Sequence, residues 1–132
     1  MEKLKHGGIT EKIIGAAFEV HKFLGNACLA VRQGFQEVIY QRALAWEMSQ
    51  VELTFNREIE QNIYYKELRE PIGTRRADFV VEEKVLVELK AIKELEDVHI
   101  AQALNYLKAY RLEVALLINF GGKSLQFKRL VL

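Results

Sequence analysis

The sequence is poor in the residues that interrupt or cross-link a chain. Its 132 residues include one proline, eight glycines and one cysteine. So few prolines and glycines argue against a linker-rich or disordered chain. The single cysteine, Cys28, excludes an internal disulfide and a multi-cysteine zinc site, and it favours a reducing compartment.

Long hydrophobic runs and an excess of charge of one sign are also lacking. The longest apolar run, residues 114–118, is far shorter than the ~20 residues that a membrane helix needs. No apolar stretch follows the first charged residues, so we expect no signal peptide. A net charge of +1 excludes a generally cationic nucleic-acid coat, but not a local basic groove. These absences predict a cytoplasmic protein without membrane segments, made of one domain over residues 1–132.

What is present is a pattern of two hydrophobic periods. Apolar residues repeat at the helical period in three segments, residues 9–24, 35–50 and 97–111. Alternating or fully apolar segments predict strands within residues 51–65 and at 76–81, 85–91, 114–118 and 125–131. The order α-α-β-β-β-α-β-β predicts an α/β fold, with a mixed β-sheet flanked by helices. The fully apolar run at 114–118 predicts a central strand that is covered on both faces.

The predicted second and third helices carry the polar residues of interest. We expect the apolar stripe of the second helix to be buried, namely Phe35, Ile39, Ala43 and Trp46. On the opposite face lie Glu37, Tyr40 and Gln41, and the helix dipole alone could account for the glutamate. Asp97 is the expected N-cap of the third helix. His99, Gln102 and Tyr106 form one stripe on that helix, which could bind a phosphate or be an ordinary boundary face.

The strands at 76–81 and 85–91 predict a hairpin with two facing carboxylates. If the loop spans residues 82–84, Asp78 falls opposite Glu88, with β-carbons about 4.5–5.5 Å apart. Two such carboxylates can hold a hard divalent cation. Lys90 shares the face of Glu88 and could neutralise charge or meet a phosphate or a nucleophilic water. Spacing alone slightly favours the alternative, a half-exposed strand with polar alternate positions.

Basic residues gather towards the end of the chain. Lys123, Lys128 and Arg129 lie in a final segment without acids. Three further cations could extend them into a positive rim, namely Arg75, Arg76 and Lys108. The sign suits a phosphate backbone, although a solvated charged face is the usual meaning of such a run.

Four short motifs resemble those of the PD-(D/E)XK nuclease superfamily, in its small bacterial GxxExxY group of the lambda-exonuclease and RecB-like branch. They are Gly34-Phe35-Gln36-Glu37-Val38-Ile39-Tyr40, Arg76-Ala77-Asp78, Glu88-Leu89-Lys90, and Gln102 with Tyr106 as QxxxY. The resemblance covers residues 9–132. It implies a restriction-endonuclease-like fold with an α-β-β-β-α-β core, which fits the predicted order of elements.

The resemblance also implies a function and a metal. It implies a nuclease that uses Mg²⁺, with Mn²⁺ as a substitute, on a nucleic acid, with DNA favoured. Asp78 and Glu88 would hold the metal, the Leu89 carbonyl would be a third ligand, and Glu37 would complete the site directly or through water. Physically, such an ion polarises the phosphate and lowers the pKa of bound water.

The remaining motif residues would act on water and substrate. Lys90 would orient or deprotonate the attacking water and stabilise the transition-state charge. Gln102 and Tyr106 would fix the third helix against the site and contact substrate or metal-bound water.

Two segments depart from the family pattern. Residues 27–33 are inserted before Gly34 and could shift Glu37, and the connection at 66–73 looks longer than usual. One alternative function is a catalytically silent nuclease-fold module that binds DNA. Another is a homodimer or protein-interaction domain that uses an apolar patch at residues 28–31.

Overall fold

The structure is a computed structural model that describes residues 4–25 and 35–132. The insert at 27–33, the patch at 28–31 and Gly34 lie outside the described residues. The elements follow the predicted order. Their bounds are α1 (Gly7–Leu24), α2 (Glu37–Gln50), β1 (Phe55–Ile63), β2 (Gly73–Val81), β3 (Val85–Lys90), α3 (Asp97–Ala109), β4 (Val114–Asn119) and β5 (Gln126–Val131).

The five strands form one mixed sheet in the order β1-β2-β3-β4-β5. Neighbouring strands are antiparallel except β3 and β4, which are parallel and are connected through α3. All six residues of β4 are buried, as expected of an apolar strand covered on both faces. The predicted α/β fold with a mixed, helix-flanked sheet is therefore confirmed.

Two hydrophobic clusters cover the two faces of the sheet. On one face, α1 contributes Ile13, Ala17 and Val20, which pack with α2 against alternate residues of β2, β3 and β4. On the other face, α3 contributes Ala103 and Leu107. Within the described ranges, no helix is long and apolar enough to span a membrane.

The predicted inner face of α2 is wrong for Phe35 and Trp46, whereas Ile39 and Ala43 are half-buried and Ala43 packs against the core. Phe35 and Trp46 are 43% and 62% exposed, whereas the buried residues of the helix are Tyr40, Gln41, Leu44 and Met48. The polar group of Tyr40 has a partner, because its hydroxyl donates to the Gly25 carbonyl at 2.9 Å, and its ring stacks on Phe120. A satisfied tyrosine can be buried as readily as an apolar residue.

The predicted N-cap of α3 is displaced by one residue. Glu96, rather than Asp97, is the N-cap, and its backbone N–H donates to Nδ1 of His99 at 2.9 Å. This contact forms half of a capping box, which satisfies groups that a helix terminus otherwise leaves unpaired. His99 therefore has a structural role at the start of α3.

A buried polar network holds the chain where it leaves β3. The Asn119 side-chain oxygen accepts the N–H groups of Ile92 and Gly121, each at 3.0 Å, and its amide nitrogen donates to Gln126. A β-carbon on Gly121 would lie 1.9 Å from the Ile92 carbonyl oxygen, so the two backbones approach more closely than a side chain allows. The segment after Lys90 is therefore fixed against the end of β4.

Candidate active site

The hairpin ladder between β2 and β3 ends at the first candidate residue. Its pairs are Val81–Val85, Val80–Leu86 and Phe79–Val87, with the loop at the predicted residues 82–84. The ladder stops one pair before Asp78 and Glu88, so these two residues do not form the expected backbone pair. Instead, Oδ2 of Asp78 accepts the Leu89 N–H at 2.8 Å, which ties the carboxylate to the facing strand.

Asp78 has a second partner on α2. Nε2 of Gln41 donates to Oδ1 of Asp78 at 3.0 Å, and the glutamine side chain is buried. Oε1 of Gln41 is also buried and has no hydrogen-bond partner among the described residues. The sequence pattern assigned Gln41 to the face of Glu37, opposite the stripe that was expected to be buried. The prediction therefore missed the contact of Gln41 with the site.

Glu88 is a buried carboxyl paired with one cation. Oε1 of Glu88 lies 2.8 Å from Nη1 of Arg75, and Glu88 is 6% exposed. Burial and, next, repulsion from Asp78 raise the pKa of Glu88 to about 7, although Arg75 opposes this shift. Near neutral pH, this carboxyl is therefore partly protonated. A cation bound beside it would favour the ionised form.

Arg75 is turned into the site rather than onto the expected positive rim. Besides Glu88, its guanidinium donates to the Tyr110 hydroxyl at 3.1 Å and lies 3.8 Å from the ring centroid of Tyr106. The two tyrosine rings stack on each other with centroids 6.0 Å apart. Sequence reasoning missed Tyr110, and it treated Arg75 only as a cation of the positive rim, next to the predicted strand that carries Asp78.

Glu37 lies in the first turn of α2 and faces the same group of charges. Partial burial and, next, the Asp78 carboxylate raise the pKa of Glu37, whereas Lys90 and Arg75 oppose that rise. The structure therefore brings Glu37 into the electrostatic environment of Asp78 and Lys90. Within residues 4–25 and 35–132, no hydrogen bond to the Glu37 carboxylate is formed.

The three remaining candidates, Lys90 of β3 and Gln102 and Tyr106 of α3, lie close together. Nζ of Lys90 lies 3.4 Å from Oε1 of Gln102, a long hydrogen bond between β3 and the helix. Lys90, Gln102 and Tyr106 line one cavity together with Glu88 and Arg75. The helix stripe expected from sequence is thus next to the hairpin residues.

The oxygen donors of this centre fit a hard divalent cation. Two neighbouring carboxylates and the unpartnered Oε1 of Gln41 are the kinds of atom that such ions prefer. Among the described residues, no group of three or more His, Cys, Asp or Glu side chains is arranged to hold a metal. A cation bound by Asp78 and Glu88 therefore has to complete its shell with main-chain, amide or water oxygens.

The fold is of the α/β class, a mixed five-stranded sheet with two neighbouring carboxylates where β2 and β3 part. The chain belongs to the PD-(D/E)XK nuclease superfamily, whose family model matches residues 7–130. The fold is consistent with the restriction-endonuclease-like fold of that superfamily. Members are generally nucleases that act on nucleic acids and typically use divalent metals. No curated protein and no solved structure matches the chain significantly.

Proposed function

We propose that the protein is a cytoplasmic, single-domain nuclease that hydrolyses phosphodiester bonds with Mg²⁺, or with Mn²⁺ in its place. We favour DNA as substrate, and we assign the chain to the small bacterial GxxExxY group of the lambda-exonuclease and RecB-like branch. The observation that carries the proposal is that Glu88, which neighbours Asp78 where β2 and β3 part, lines one cavity with Lys90. The superfamily match supports the same reaction class.

In this proposal, the carboxylates of Asp78 and Glu88 and the carbonyl of Leu89 hold the cation, and Glu37 acts through a water. When bound, the metal polarises the phosphate and lowers the pKa of its water. The raised pKa of Glu88 supports the assignment, because a cation there would favour the ionised carboxylate. The pairing of Asp78 with the Leu89 N–H and Gln41 supports a fixed ligand orientation.

The other site residues act on substrate and on the attacking water. Lys90 holds or deprotonates that water and balances charge on the phosphate, and Gln102 positions the lysine through their contact. The ring of Tyr106 packs against the guanidinium of Arg75, and its hydroxyl contacts the substrate.

Incubation of labelled DNA and RNA with purified protein in Mg²⁺, Mn²⁺ or EDTA tests this function. We expect cleavage with either metal and none in EDTA. Glu88→Gln and Lys90→Met should each lose at least about a hundredfold in rate. Glu19→Gln and Lys84→Met are matched controls on exposed positions and should cleave normally. Cleavage in EDTA, or equal rates for site and control variants, would overturn the proposal.

The second candidate is a catalytically silent module that associates with another copy of itself. It is favoured by Phe18 and Phe127, an edge-to-face pair that is 49% and 41% exposed beside the edge strand β5. Sedimentation velocity at several concentrations decides the point. A dimer that Phe127→Lys converts to monomer would support it, and a monomeric wild type would exclude it.

A further inference from the structure

A groove separate from the candidate active site lies at the C-terminal end of α3. Its volume is about 320 Å³. Six of its lining residues come from the chain after β1, from α3 and from the turn that follows it: Tyr64, Tyr65, Lys66, Asn105, Lys108 and Arg111. We refer to it as the Tyr64 groove. Within the described part of the chain, no Asp or Glu lines it.

The groove is built from residues that hold one another in place. The Tyr64 N–H donates to the Ala109 carbonyl at 3.0 Å, which fixes the chain after β1 against the helix. Arg111 donates to the Leu68 carbonyl at 2.9 Å and to the Lys66 carbonyl at 3.3 Å. Its guanidinium also lies 4.0 Å from the ring centroid of Tyr64. One wall is therefore organised before any ligand arrives.

The chemistry of the groove suits a single nucleic-acid strand. Tyr65 is 52% exposed, and Nζ of Lys66 lies 5.2 Å from its ring centroid. Lys66 and Lys108 are both exposed cations. Exposed aromatic rings stack on unpaired bases, and nearby cations pair with the backbone phosphates. A duplex keeps its bases stacked internally, so it cannot offer a base to Tyr65 in this way.

The position of the groove connects it to the proposed site. Gln102 contacts Lys90, and Asn105 and Lys108 lie three and six residues further along α3. At about 1.5 Å per residue, these positions lie roughly 4.5 and 9 Å along the helix axis from Gln102. The groove is therefore a few nucleotides of strand from Lys90.

We propose that the Tyr64 groove binds single-stranded nucleic acid, with a base stacked on Tyr65 and phosphates on Lys66 and Lys108. The strand then continues along α3 towards Lys90, so an unpaired or frayed strand is the substrate form. The direction of the strand rests on the proposed nuclease function, whereas binding at the groove does not depend on cleavage.

Fluorescence anisotropy in EDTA with labelled oligo-dT, oligo-U and a duplex of equal length tests the groove. We expect single strands to bind more tightly than duplex, and Tyr65→Ala to lose roughly tenfold in single-strand affinity. The double variant Lys66→Gln/Lys108→Gln should bind more weakly and reduce the salt slope by about 1.4. Comparison of oligo-dT with oligo-U separates DNA from RNA as the source of the strand.

The matched control is Lys12→Gln/Lys84→Gln, which removes the same charge from exposed positions on α1 and the β2–β3 loop. It should bind like the wild type, and an equal loss would overturn the groove in favour of general charge attraction. Unchanged binding by the Tyr65 and lysine variants would also overturn it. Groove-dependent binding without metal-dependent cleavage refutes only the nuclease function. Glu88-dependent cleavage with unaffected groove variants refutes only the groove.

Discussion

At the scale of the residue, Glu88 lies 2.8 Å from Arg75, yet its pKa still rises to about 7. Burial and the neighbouring Asp78 carboxylate outweigh the ion pair. Between the ordinary pKa of 4.5 and about 7, the folded protein holds a proton that the unfolded chain releases. Stability from this group is therefore present at low pH and is lost as pH rises through that window.

We accordingly expect the free energy of unfolding to contain a negative pH slope from Glu88, of at most about 1.4 kcal/mol per pH unit. Glu88→Gln should remove that contribution, whereas Glu19→Gln should keep it. Urea unfolding without divalent metal, at several pH values between 4.5 and 7, measures the slope. Identical slopes for wild type and Glu88→Gln would contradict the raised pKa.

Arg75 can be tested against its neighbour Arg76, which is exposed on the same strand. Arg75→Gln leaves Glu88 buried without its cation, so we expect a loss of about 3 kcal/mol near pH 8 and a smaller loss at low pH. The pKa of Glu88 should also rise, because Arg75 lowers it in the wild type. Carboxyl ¹³C chemical shifts report that pKa. Arg76→Gln should change neither quantity, and equal effects of both variants would contradict this role.

At the scale of the element, helices and strands were predictable wherever hydrophobic period and turn residues agreed. The face of α2 was not, because Gln41 and Tyr40 are buried by bonds to Asp78 and Gly25, which are distant in sequence. The residue at which the β2–β3 ladder ends could not be predicted from the sequence for the same reason. The side chain of Asp78 accepts the Leu89 N–H there, and the hydrophobic period of a sequence does not indicate such a hydrogen bond.

The exit of β3 and β4 supplies a prediction at the same scale. Gly121→Ala places a methyl group 1.9 Å from the Ile92 carbonyl oxygen and 2.4 Å from the Ile92 nitrogen. Because both atoms are backbone, the segment after Lys90 must shift, at a cost of about 3 kcal/mol. Urea unfolding should show this loss. The control is Gly15→Ala, which meets nothing within 4 Å in α1 and should stabilise by up to about 1 kcal/mol.

At the scale of the whole molecule, a net charge of +1 hides two different regions, a centre with three carboxylates beside Arg75 and Lys90 and a groove that no carboxylate lines among the described residues. Glu37, Asp78 and Glu88 gather at the proposed metal centre, while Lys66 and Lys108 lie in the Tyr64 groove. The composition determines the net charge but not this separation of charges, which depends on how α3 joins the two regions. Binding of single strands should consequently be strongly salt-dependent despite the near-neutral total.

The parting of β2 and β3 gives the folded protein an internal reporter. Most sheet amides bond to a neighbouring main chain, but the Leu89 N–H bonds to the Asp78 carboxylate. Its proton chemical shift and exchange rate should therefore follow the charge on that carboxylate. Titration with Mg²⁺ should move the Leu89 amide resonance more than that of Val87, a residue of the same strand that pairs with Phe79, and Asp78→Asn should abolish the difference. One backbone amide can thus be used to follow occupancy of the centre without any nucleic acid present.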